Sequence, residues 1–133
     1  MSVEKTINYL TGKPRIMLLI DAIGALTTSL MLGIVLAKNV DLFGMPTDVL
    51  QPLSAVAACF ALYSFCGYLF AKKYKLYIRI IALANLSYCI ASAALTIINR
   101  HTLTSLGIMH FIGEIIIILS IFYIEWRVAN NVN

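Results

Sequence analysis

Charge is what this sequence has least of. Only 12% of its 133 residues are Asp, Glu, Lys or Arg, about half the roughly 25% usual in a soluble domain. That scarcity excludes an ordinary water-soluble enzyme domain, a disordered regulator and a nucleic-acid binder with a broad basic face. Metal-binding and nucleophilic chemistry is equally thin. There is no C-x-x-C pair, no H-E-x-x-H, no glycine-rich phosphate loop and no nucleophile elbow. Cys59 and Cys66 share one apolar run, and roughly 10 Å of helical rise keeps them from bonding each other. Of the two histidines, His110 alone falls inside an apolar run and His101 lies between runs. No axial partner is offered to His110, so no cofactor and no metal is expected.

What is present is apolar, at 61% of the residues. The hydrophobic residues gather into four stretches, at about 16–37, 49–71, 76–98 and 103–126. Each is long enough to cross a hydrocarbon core of roughly 30 Å as a helix of about 20 residues. Runs such as Ile115 to Leu119 lack the alternation of a barrel strand, so helix is the remaining way to satisfy the backbone in lipid. Pro14 suits a first helical position, Pro52 an opening turn, and Thr47, Asp48, Thr102 and Thr104 are available as caps. The sequence therefore predicts an all-α, integral membrane, four-helix antiparallel bundle. It forms a single four-span transmembrane domain over 1–133, with helices at about 14–38, 48–71, 76–99 and 103–127. The first run is longer than a signal-peptide core and no small-x-small site follows it, so it is expected to stay uncleaved. Val3, Ile7 and Leu10 stand at helical spacing, which suits a short interfacial helix on the inner leaflet or a frayed terminus.

The ten bases are distributed unevenly. Lys5, Lys13, Arg15, Lys72, Lys73, Lys75, Arg79 and Arg127 fall on the side of the two termini, and only Lys38 and Arg100 on the other. The positive-inside bias predicts that both termini are cytoplasmic. The style of the chain suggests a bacterial inner membrane. A faint repeat at an offset of 64 aligns Arg15-Ile16 with Arg79-Ile80 and Asp21 with Asn85, although chance explains so few identities.

Function should be sought where polar groups meet lipid, because ionisable side chains at that depth are costly. Asp21 enters the first span, with Arg79 or Asn85 as its expected partner. His110 and Glu114, four residues apart, share a face of the fourth span. They form either a clasp between helices or a proton-handling or ligand-binding pair. Glu125, beside Trp126 and Arg127, reads as a solvated end residue. Small and weakly polar residues recur along the third span at Asn85, Cys89, Ser92, Thr96 and Asn99, and along the second at Ser54, Ala57, Ala61 and Ser64. Such seams let membrane helices approach closely. The candidate intramembrane polar site is therefore Asp21, Asn85, His110 and Glu114, with Tyr63 and Tyr88 adding hydroxyls. Three functions fit: a small transport or ion-coupling protein, a non-enzymatic accessory or assembly subunit of a larger membrane complex, and a membrane enzyme acting on a lipid or quinone. No nucleophile stands out, so an enzyme is the least expected. The expected surroundings are the lipid bilayer and either a homo-oligomer or a larger membrane complex, with no nucleic acid.

Orientation is directly testable. In a chain whose three native cysteines are replaced by serine, Asp41→Cys should react with an impermeant maleimide on intact cells. Lys73→Cys should react only once the membrane is opened, and the reverse pattern would invert the topology.

Overall fold

The computed structural model describes residues 2–132. Helix α1 (Val3–Gly12) is short; α2 (Pro14–Leu30) begins after one connecting residue and continues through a π-helical stretch, Met31–Leu36. A one-turn helix α3 (Val40–Phe43) leads to α4 (Thr47–Phe70), α5 (Tyr74–Ile98) and α6 (Ser105–Asn131). Counting α2 with its π extension, four helices of 23 to 27 residues are long and apolar enough to cross a membrane. They run antiparallel, so the bundle has a foot, which carries both chain ends and the α4–α5 turn, and a head, which carries α3 and the α5–α6 turn. Among the described residues there is no strand.

The termini of the helices follow from the local sequence. Pro14 occupies the first turn of α2, where its missing N–H leaves nothing unbonded. Thr104 caps α6 by accepting from the Gly107 N–H at 3.1 Å. The same hydroxyl donates to the Leu42 carbonyl at 2.6 Å, tying α6 to the α3 loop. Neither Thr47 nor Asp48 caps α4. That helix starts after Pro46, whose side chain has nothing to offer, and Thr47 is already its first residue. Gly44 turns the chain with φ +83°, a conformation that suits glycine.

Packing divides the bundle into two hairpins, α2 with α4 and α5 with α6, which meet each other less extensively. In the first hairpin, Ser29 and Ser54 each donate a hydroxyl hydrogen to the other's carbonyl, at 2.9 and 2.8 Å. One turn on, a side chain at Gly33 would strike the Ser54 hydroxyl, so the glycine is what lets the two backbones come this close. Two apolar cores fill the ends. The head core contains Leu32, Leu36, Met45, Leu50 and Phe111, and the foot core contains Ile7, Met17, Leu18, Ile78 and Val128.

Helix α1 contributes to the foot core. Its Ile7 and Leu10 are buried against the bundle rather than laid into lipid, and Arg127 pairs with Glu4 at 3.2 Å. The amphipathic spacing thus belongs to a helix whose apolar face packs under the bundle.

Close packing at the head depends on Gly107, where a Cβ would fall onto the Phe43 carbonyl. Gly107→Val should destabilise the fold by about 1–3 kcal/mol or more through overpacking, seen as a lower thermal midpoint in micelles. Gly113→Ala, where an added Cβ meets open space, should stay within about 0.5 kcal/mol of wild type.

Candidate functional site

Between the two apolar cores lies a polar layer, and each of the four long helices supplies one side chain to it. Asp21 comes from α2, Ser64 from α4, Asn85 from α5 and Glu125 from α6; their exposures are 4%, 0%, 8% and 0%. The Asn85 amide nitrogen donates to Asp21 Oδ1 at 2.8 Å and to both Glu125 carboxyl oxygens at 3.2 and 3.3 Å. One amide hydrogen therefore serves Asp21, and the other is shared by the two oxygens of Glu125. The Ser64 hydroxyl donates to Asp21 Oδ2 at 2.6 Å. Two carboxyl groups thus meet at one neutral side chain. Among the described residues, acidic side chains approach basic or imidazole groups only at Glu114 with His110 and at Glu4 with Arg127, so no base lies within pairing distance of Asp21 or Glu125.

Two expectations change here. Glu125 is not a solvated end residue. Helix α6 continues to Asn131, which draws Glu125 inside the bundle, and the face that bears it is the one that bears Glu114. The two glutamates are eleven residues apart, close to three full turns at about 3.6 residues per turn. That spacing was the available signal, and the neighbouring Trp126 and Arg127 obscured it. Nor is Arg79 the partner of Asp21. Six residues separate Arg79 from Asn85, which turns it roughly 240° around α5 at about 100° per residue. Its guanidinium bonds Asn130 Oδ1 at 2.9 Å and lies over the Trp126 ring. Asn85 takes the position facing Asp21, and these are the two positions that the 64-residue offset aligned.

Nearer the head, the Tyr88 hydroxyl donates to Glu114 Oε1 at 2.6 Å, in the range of a hydrogen bond to a carboxylate. His110 Nε2 stands 3.2 Å from Glu114 Oε2. The contact is out of line for a hydrogen bond, so both atoms are buried without a hydrogen-bond partner. Edge contacts from Phe43 and Phe111, at 6.0 and 5.1 Å between ring centres, hold the imidazole in place. Tyr63 joins neither group. It stacks on Tyr77 at 5.0 Å, and its hydroxyl bonds the Tyr77 carbonyl at 3.3 Å near the foot.

A pocket lies between the two polar groups, lined by Asp21, Asn85 and Tyr88 on its polar side and by Ile118 and Ile121 on the other. Thr28 and Gly24 line both this pocket and a groove beside Glu114. Asp21, Asn85 and Tyr88 therefore share one space, and Glu114 and His110 adjoin it.

The amide clasp should be measurable. Asn85→Leu leaves two buried carboxyl groups short of donors and should lower stability by about 1–3 kcal/mol. Asp21→Asn should have a much smaller effect in the Asn85→Leu background than in wild type, because the two residues share one bond network. Unfolding in mixed micelles reads both, and additive effects would show that the clasp is not a unit.

Compared with known proteins, the chain matches no family model, no curated protein and no solved structure.

Proposed function

We propose that this small multi-pass membrane protein is an ion-coupling protein that passes protons through the centre of its bundle. The observation that carries the reading is the meeting of Asp21 and Glu125 on the Asn85 amide with no base alongside. Two ionised carboxylates at that depth would repel each other and lack compensation from water. A proton held between the pair removes one of its two negative charges, and that charge returns when the proton leaves. The reciprocal Ser29–Ser54 pair shows that this same bundle also makes a clasp from neutral partners alone.

Glu114 is the second station. It lies on the same face of α6 as Glu125, roughly 16 Å away along the helix axis. That is too far for direct transfer. A mostly apolar pocket occupies the interval, and Asp21, Asn85, Thr28 and Tyr88 are the polar groups on its wall that a bridging water would bond.

A second reading is an assembly subunit of a larger membrane complex, or a homo-oligomer. It draws on α6, whose membrane window is 11% buried against 22–33% for the other three spans. That helix offers the broadest uncovered apolar face to a partner.

Proteoliposomes separate the two. With a potassium gradient and valinomycin, wild-type vesicles should take up protons faster than protein-free vesicles. Glu125→Gln and Glu114→Gln should each reduce the rate at least tenfold. Flux equal to empty vesicles, or unchanged by both substitutions, would remove the proton path and leave the assembly reading.

A further inference from the structure

The bundle is open along the seam between α2 and α6, which scarcely touch. A groove follows this seam, with Gly24 and Thr28 on one wall and Gly113 and Glu114 on the other. A Cβ built on either glycine meets nothing within 4 Å. Met109 and Ile117, at the groove's edge, are 69% and 60% exposed. The groove therefore faces outward, where a membrane-spanning helix meets acyl chains. Yet one of its walls is ionisable. The Glu114 side chain is 8% exposed. Its Oε1 is taken by Tyr88, while Oε2 and the neighbouring His110 Nε2 have no hydrogen-bond partner. No lysine or arginine lines the groove.

We propose that this groove binds the head of a long-chain amine that arrives from the membrane. Charge and hydrogen bonding both select that class. Glu114 Oε2 and His110 Nε2 face each other at 3.2 Å and are buried without a hydrogen-bond partner, so an ammonium head that parts them can donate to both. An alkyl tail lies against Met31, Met109 and Ile117, which line the same groove, and extends into lipid. A neutral alcohol offers a donor without the charge, and an anion is repelled. The inference goes beyond the proton path, since it requires Glu114 to be ionised and reachable from the side and does not require protons to cross.

The test is titration of decylamine and of decanol into the purified protein in neutral micelles, followed by calorimetry with no gradient present. Decylamine should bind saturably. Glu114→Gln, whose amide oxygen still accepts from Tyr88, should weaken binding at least tenfold. Gly113→Leu should abolish it by filling the groove, and a wild-type thermal midpoint for both variants would show that they fold. Decanol should bind at least tenfold more weakly than decylamine. Equal binding of decylamine to wild type and Glu114→Gln, or equal affinity for decanol, would overturn the proposal. Proton flux without amine binding would leave the proton path standing and remove this site; amine binding without flux would do the reverse.

Discussion

Two helical hairpins share apolar cores at the head and the foot, and between those cores one side-chain amide ties them together. Asn85 reaches from α5 to Asp21 on α2 and Glu125 on α6, and Ser64 on α4 completes the set. In lipid there is no hydrophobic force between helices to hold such a structure, so packing and hydrogen bonds must do it. Within each hairpin small residues let the backbones close up, as Gly33 does against Ser54. Between the hairpins the polar layer sets the register, because each carboxyl group must meet a donor or remain buried without one.

That layer also fixes where function can reside. Apolar cores close the head and the foot, and α1 folds beneath the foot with Ile7 and Leu10 inside it. The polar groups sit between these plugs, at a depth where a charge is expensive. The proposed proton coupling rests on this acidic pair and on the pocket between it and Tyr88.

The membrane affects the two polar groups differently. Asp21 and Glu125 are enclosed by all four helices. Glu114 and His110 lie beside an open seam, with buried oxygen and nitrogen atoms that the protein leaves unmatched. Enclosure suits a proton, which needs no room. An open, greasy groove with one carboxyl group on its wall is the feature behind the proposed long-chain amine.

The sequence by itself determined the solvent, the number of spans, their helical nature and their antiparallel order, because length and hydropathy alone decide what can cross a bilayer. It also singled out Asp21, Asn85, Tyr88, His110 and Glu114, since polar residues in apolar runs are visible without coordinates. What it could not determine was pairing, which depends on how each helix rotates about its axis and on where it ends. Tertiary structure turned Arg79 away from Asp21 and put Asn85 in its place. It extended α6 so that Glu125, placed by its neighbours at the surface, became the most deeply buried acid of the bundle. It sent Tyr63 to the foot, stacked on Tyr77. A few degrees of helix rotation or one added turn moves a side chain from lipid to core, and only packing against the other helices selects among those positions.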